Sequence, residues 1–217
     1  MSVDLSGLPQ EIAIFEKKEA MTMTAQPKQK YSPEEYLQLE RAAEYKSEYY
    51  RGEIFAMAGA SRNHNRIVGN LNGLFYNFLL AKPCNFYPSD MRVHVPANGL
   101  YTYPDLLVAC GQEEYLDDET DTLLNPKIII EVLSKSTGSY DRGDKFEMYR
   151  SIPTLMEYVL VDSRRVKAEV WRKEEGTWLL AIETNDLESN LELKSIDFTL
   201  SLHDVYNNTE GIRFGWD

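Results

Sequence analysis

Two short apolar runs with polar boundaries stand out in the middle of the chain. They cover residues 103–110 (YPDLLVAC) and 127–134 (KIIIEVLS). Apolar runs of this length, rich in Ile, Leu and Val, are typical of buried strands. Each run also carries one carboxylate, Asp105 near the start of the first and Glu131 near the end of the second. The pattern therefore predicts two buried strands with an acidic side chain each.

Helix-start signals and helical apolar spacing predict three helices. Ser32 is a suitable N-cap before Pro and two acidic residues, and it opens a helix to about residue 45. Ser61 caps a second helix that extends to about residue 80, with a stripe of apolar residues along one side. The third helix is expected over residues 140–150, with Asp144 completing a capping arrangement at its start.

The rest of the chain alternates between apolar and polar residues, as half-buried strands do. Together with the helices, these strands predict an α/β fold in which a mixed sheet is flanked by helices. We expect one domain over residues 31–217, preceded by an N-terminal tail or extension over residues 1–30. The further predicted elements are a hairpin at 48–57 with its turn at Arg51-Gly52, strands at 84–87, 91–95, 157–161, 166–172 and 178–184, and a short helix near 201–206.

Composition fits an ordinary globular protein of 217 residues, with 43% hydrophobic and 27% charged residues. The chain has no apolar run of about 18 residues that could span a membrane, and no signal peptide opens it. Cys84 and Cys110 form no CxxC pattern, so we expect buried free thiols in a reducing cytoplasm. His64 and His94 are expected to be satisfied polar residues rather than metal ligands.

The charge distribution limits the choice of partners. A net charge of -12 argues against indiscriminate binding to nucleic acid. The acidic residues are concentrated in residues 111–121 and 174–217, however, whereas residues 135–173 hold nine Lys or Arg against six acids. The segment that follows Glu131 is therefore locally basic, although such runs are also common on solvated faces.

The two strand carboxylates suggest a shared cation. A carboxylate in an apolar strand is costly unless it is paired or binds a metal. Mg²⁺ and Mn²⁺ prefer hard oxygen ligands, which Asp105, Glu131 and the carbonyl of Val132 could supply. Such an ion can hold a phosphate oxygen and activate water. An ammonium group nearby could then orient that water, and Lys135 and Lys145 are the candidates.

The order of these motifs resembles the Uma-type restriction endonucleases of the PD-(D/E)xK nuclease superfamily. The resemblance covers roughly residues 31–185 and rests on Pro104-Asp105, the EVLS stretch that begins at Glu131, and the YDxGxKxxxY motif of residues 140–149. It implies a restriction-endonuclease-like fold and a Mg²⁺-dependent endonuclease acting on DNA. It also implies a homodimer, because two sites cut both strands of a duplex most simply.

The chain departs from the superfamily pattern at the catalytic lysine. The pattern places a lysine two residues after the acidic residue, where this chain has Leu133. The resemblance therefore assigns Asp105 and Glu131 to the metal and a migrated catalytic lysine to Lys145. Three further residues are implied as accessory groups of this site, namely Glu53, Asp141 and Tyr149.

Plainer interpretations stand beside these assignments. Asp105 could be a strand-start residue after proline, Asp141 and Lys145 an ordinary surface pair, and Glu53 a hairpin residue. Alternative functions are a catalytically silent nuclease-fold module for binding or assembly, and a nuclease for RNA or branched nucleic acid.

Overall fold

The computed structural model describes residues 29–214, and within them the chain forms helices and strands in mixed order. Most of the predicted tail, residues 1–30, lies outside this range. No helix in the described range is both long and apolar enough to cross a membrane. The helices are α1 (Pro33–Ala42), α2 (Arg62–Leu79), α3 (Gly138–Arg142), α4 (Asp144–Tyr149) and α5 (Leu202–Val205).

Within residues 29–214, the strands form two larger sheets and one small one. The strands are β1 (Ser47–Tyr50), β2 (Glu53–Ala56), β3 (Cys84–Pro88), β4 (Arg92–Val95), β5 (Leu100–Thr102), β6 (Leu106–Cys110), β7 (Thr122–Leu123), β8 (Ile128–Leu133), β9 (Glu157–Asp162), β10 (Ala168–Glu174), β11 (Thr177–Thr184), β12 (Asn190–Leu193) and β13 (Phe198–Ser201). A five-stranded sheet has the order β2-β1-β5-β4-β7, a six-stranded sheet has the order β11-β10-β9-β8-β6-β3, and β12 pairs with β13.

Local signals account for the first half of the fold. Ser32 and Glu35 form a capping box at the start of α1, as the sequence predicted. Ser61 accepts a hydrogen bond from the backbone of His64 and so caps α2. Arg51 and Gly52 both have positive φ, of 49° and 87°, as the turn of a two-residue hairpin requires.

The six-stranded sheet carries a hydrophobic core on each face. Strand β8 is buried along its whole length, because helices and strands cover it on both sides. Its residues alternate between the two cores, with Ile130 and Val132 on the face covered by α2 and Ile129 and Leu133 on the face covered by α4. By the same alternation, Glu131 faces the α4 side.

The prediction of a single third helix was wrong. The chain forms two short helices, α3 and α4, which are separated by Gly143 with φ -106° and ψ -100°. The predicted capping arrangement with Asp144 is also absent. No side chain forms a capping hydrogen bond at the N-terminus of α3 or of α4, both of which lie in the described part of the chain. The bend at Gly143 nevertheless leaves Asp141 and Lys145 within reach of each other.

The prediction of free thiols was also wrong. Cys84 and Cys110 form a disulfide, with their Cα atoms 4.0 Å apart. The antiparallel pairing of β3 with β6 places the two residues directly opposite each other. This pairing joins residues far apart in sequence, so the Cys spacing could not reveal it. The cytoplasmic location, which rested partly on free thiols, stays a prediction.

Candidate active site

Strand register brings Asp105 and Glu131 together. In the antiparallel pair of β6 and β8, Leu106 lies opposite Ile130. Continuing that register by one residue places Asp105 opposite Glu131. The backbone N–H of Asp105 lies 3.4 Å from Glu131 Oε2, and Asp105 Oδ2 accepts a hydrogen bond of 2.8 Å from the N–H of Val132. The two carboxylates therefore belong to one site.

Lys145 reaches the same site from α4. Its Nζ atom lies 2.9 Å from Glu131 Oε1, and its side chain is only 6% exposed. Tyr149, one turn further along α4, donates a hydrogen bond of 3.0 Å to the same Glu131 oxygen. Glu131 Oε1 is thus held by two groups from α4, whereas Oε2 is directed towards Asp105.

Two further carboxylates surround the Lys145 ammonium. Glu48 Oε1 lies 3.1 Å and Asp141 Oδ1 lies 3.8 Å from Lys145 Nζ. Glu48 also accepts a hydrogen bond from the Thr102 hydroxyl, which fixes its position. We call this set the acid–lysine cluster: Glu48, Asp105, Glu131, Asp141 and Lys145.

His64 contacts the acid–lysine cluster at Asp105. It lies in the first turn of α2, and its Nε2 atom is 3.2 Å from Asp105 Oδ2. Burial opposes protonation of His64, but the hydrogen bond and charge of Asp105 outweigh it, so the pKa of His64 is raised. His94, by contrast, is satisfied by the carbonyl of Leu100 at 3.1 Å and stacks on Tyr101, as expected.

The cluster holds more negative than positive groups in a buried setting. Burial, more than any neighbour, raises the pKa of Glu131 to about 8, and the charges of Asp141 and Asp105 add to this rise. Burial alone would lower the pKa of Lys145, but Glu131, Tyr149, Glu48 and Asp141 together outweigh burial and raise the pKa, so the ammonium stays charged. Four carboxylates thus face one ammonium and one imidazole, an imbalance that a divalent cation would offset.

This imbalance predicts a pH-dependent stability difference for Glu131→Gln. Because folding raises the pKa of Glu131, its contribution to the free energy of unfolding is fully present below pH 4.5 and is lost as pH rises through about 8. The glutamine side chain stays neutral at every pH. The free energy of unfolding of the variant should therefore rise relative to that of the wild type across this range, by at most about 1.4 kcal/mol per pH unit.

Thermal melts of the wild type and Glu131→Gln in a chelating buffer at several pH values measure this difference. We expect the melting temperature of the variant to rise relative to the wild type as the buffer becomes more alkaline. A constant or shrinking difference would contradict the raised pKa of Glu131.

The structure brings most of the predicted site residues together, but not Glu53. Glu53 lies opposite Tyr50 at the turn end of the β1–β2 hairpin, and it pairs with Lys30 at 3.0 Å. The acid that the hairpin directs at Lys145 is Glu48. The sequence signal for Glu48 was the alternation in β1, where Tyr49 is buried in an aromatic cluster and Glu48 points to the other side.

His64 and Lys135 also differ in how the structure places them. His64 was expected to be a satisfied polar residue rather than a ligand, and only the packing of α2 against β6 and β8 brings it to Asp105. Lys135 lies in the turn after β8 and is exposed, as its position after the strand end suggested. Of the two candidate lysines, Lys145 is therefore the one that contacts the carboxylates.

Comparison with known proteins gives the family. Residues 33–203 match the sequence profile of Uma2, described as "Putative restriction endonuclease". The chain belongs to the Uma2 family. The match includes every residue of the acid–lysine cluster.

Curated relatives of this Uma2 chain come from Synechocystis sp. It is 38% identical to "Uncharacterized protein slr1290" over 181 residues, which is 83% of this chain and 93% of that protein. It is 40% identical to "Uncharacterized protein sll1609" over 147 residues, or 67% of this chain and 83% of that protein. These relatives support the family and carry no activity in their names.

A solved structure shares the fold of this Uma2 chain. It is the crystal structure of "a putative nuclease belonging to DUF820" from Anabaena variabilis, with a TM-score of 0.66. The likeness covers 80% of this chain and 96% of that chain at 17% identity. The mixed α/β fold of restriction-endonuclease-like type is thereby confirmed.

Proposed function

We propose that this Uma2 protein is a Mg²⁺- or Mn²⁺-dependent endonuclease that hydrolyses phosphodiester bonds in DNA. The observation that carries this proposal is the meeting of Asp105, Glu131 and Lys145, which come from the residue before β6, from β8 and from α4. A buried ammonium held among carboxylates at a strand end is a costly arrangement for stability alone. The family description supports a nuclease, and restriction-type nucleases act on DNA.

The donor set fits a hard divalent cation. The backbone N–H of Asp105 lies 3.4 Å from Glu131 Oε2, and Asp105 Oδ2 accepts a hydrogen bond from the N–H of Val132, so both carboxylates lie at the strand end that also holds the Val132 carbonyl. Within the described residues no three Asp, Glu, His or Cys side chains form a metal cage of their own. Mg²⁺ needs no such cage, because it is commonly bound by one or two carboxylates, with water and phosphate completing its shell. When bound, the ion would polarise a phosphate oxygen and activate water.

In this proposal Lys145 supplies a positive charge that stabilises the negative charge developing on the phosphate. Its ammonium is fixed by Glu131, Glu48 and Asp141, so little reorganisation is needed when negative charge develops on the phosphate. Tyr149 holds the Glu131 carboxylate in place from the same helix. Asp141 and Glu48 act as positioning residues for the ammonium.

The proposal is tested by incubating the purified chain with supercoiled plasmid DNA. We expect nicked and linear products with Mg²⁺ or Mn²⁺ and intact plasmid with EDTA. A matched RNA substrate distinguishes the nucleic acids, since the proposal expects faster cleavage of DNA. Intact DNA under all metal conditions would contradict the proposal and favour a catalytically silent module.

Dimerisation is part of the same proposal. A duplex cut by one site at a time passes through a nicked form, whereas two copies acting together produce linear DNA directly. Light scattering of the purified chain measures the oligomeric state.

Glu48 and Glu53 provide a matched pair of hairpin variants. Because Glu48 contacts Lys145 Nζ at 3.1 Å, Glu48→Gln should lower the cleavage rate by roughly tenfold or more through a misplaced ammonium. Glu53→Gln, at the turn end of the same hairpin, should leave the rate nearly unchanged. Initial cleavage rates of both variants measure this, and equal effects would remove Glu48 from the site.

A further inference from the structure

A cleft of about 800 Å³ opens beside the acid–lysine cluster. We call it the side cleft, and its main lining residues are Glu48, Tyr50, Phe55, Leu100, Tyr140 and Met148. Its volume lies in the range of pockets that bind small organic molecules. Glu48 lines the side cleft and also contacts Lys145 at 3.1 Å, so the side cleft adjoins the acid–lysine cluster at this residue.

Aromatic side chains from two parts of the fold line the side cleft. On the hairpin, Glu48 lies directly opposite Phe55 across the strands and two residues from Tyr50, so all three point to the same face. Phe55 is 45% exposed. Residues of α3 and α4 also line the side cleft, and α3 contributes Tyr140. The hairpin and α3 therefore both supply aromatic side chains to the lining of the side cleft.

The charge of the side cleft disfavours phosphate groups inside it. Among the described residues that line it, Glu48, Asp144 and Glu147 are carboxylates and none is Lys or Arg. One of them, Glu147, pairs with Arg150 at 2.7 Å. Burial and the neighbouring Glu48 raise the pKa of Tyr140 to about 12, so this phenol stays neutral and can donate a hydrogen bond. Such a lining suits an aromatic ligand with amino donors.

We propose that the side cleft binds an unpaired nucleobase that carries an amino group, such as cytosine or adenine, next to the scissile phosphate. Bases stack on aromatic side chains, and carboxylates accept hydrogen bonds from the cytosine amino group. Turning a base out of a duplex costs a few kcal/mol, and least where the base is mismatched or single-stranded. The preferred substrate is then DNA with a single-stranded or mismatched nucleotide. This substrate class rests on the proposed nuclease function.

The test measures binding without cleavage. The full-length chain in EDTA is titrated into a fluorescent oligodeoxycytidylate of roughly 12 nucleotides and into the same backbone with abasic central nucleotides. We expect at least about tenfold tighter binding of the cytosine form. This preference should persist as salt is raised, because salt weakens phosphate contacts and not base stacking.

Variants on the hairpin and on α3 connect the preference to the side cleft. Phe55→Ala and Tyr140→Leu should each reduce the ratio of the two affinities by roughly fivefold or more. Tyr76→Ala removes an aromatic side chain that is 57% exposed on α2, away from the lining residues, and should leave the ratio unchanged. Thermal melts confirm that each variant is folded.

The outcomes separate this inference from the nuclease proposal. Equal affinity for the cytosine and abasic forms would overturn the base site, and would leave a protein segment as the ligand to consider. The base site would also be overturned if both Phe55→Ala and Tyr140→Leu kept the preference for the cytosine form. A base preference in EDTA without DNA cleavage in Mg²⁺ would support the base site and reject the nuclease. Cleavage without a base preference would do the reverse.

Discussion

Asp105→Asn is expected to abolish Mg²⁺-dependent DNA cleavage, with a loss of roughly 10³-fold or more. Asn keeps the size of the side chain and can still accept the hydrogen bond from the N–H of Val132. It loses the negative charge that a divalent cation requires. Glu131→Gln should have the same effect, because the new amide oxygen can still accept from Lys145 and Tyr149 but carries no charge.

Both variants should fold at least as well as the wild type in the absence of metal. The cluster holds four acidic groups against Lys145 and His64, so removing one of them relieves repulsion, and for Glu131→Gln this relief grows as pH rises through about 8. Cleavage of plasmid DNA and thermal melts in EDTA measure the two effects separately. An active Asp105→Asn or Glu131→Gln protein would exclude the proposed metal site.

Lys145→Ala is expected to lower the cleavage rate by about 10²-fold or more, as for the loss of one preorganised charge donor. The Lys145 ammonium lies 2.9 Å from Glu131 and is nearly inaccessible to solvent, so no mobile cation can replace it at low cost. Lys135→Ala is the matched control, because Lys135 is exposed in the turn after β8. Its loss should mainly alter the salt dependence of DNA binding.

Single-turnover cleavage at saturating protein separates chemistry from binding in these lysine variants. Lys145→Met, which keeps the aliphatic length without the charge, provides a second variant if Lys145→Ala unfolds. A larger rate loss for Lys135→Ala than for both Lys145 variants would make Lys135 the catalytic lysine.

Local sequence signals predicted most elements of this fold. Capping at Ser32 and Ser61 depends on residues within one helical turn. The Arg51-Gly52 turn depends on the backbone conformation of two adjacent residues. The apolar run of β8 with its single Glu131 was equally clear, since buried Glu is rare. These features were predictable because short-range geometry and burial decide them.

Features that depend on long-range packing were missed. Cys84 and Cys110 meet only because β3 pairs with β6, and His64 meets Asp105 only because α2 crosses the sheet. The choice of Glu48 over Glu53 depends on which end of the hairpin lies against α4. Lys145 was predicted through a family resemblance, because its approach to Glu131 from another element is invisible in residue spacing.

The central claim is that Asp105 and Glu131 share a divalent cation, and anomalous diffraction from crystals soaked in Mn²⁺ tests it most directly. We predict an anomalous peak between the Asp105 carboxylate and Glu131 Oε2, within coordination distance of both, and none at this position in Asp105→Asn crystals. The absence of a peak there in wild-type crystals, or a Mn²⁺ ion bound only elsewhere, would contradict the proposed metal site.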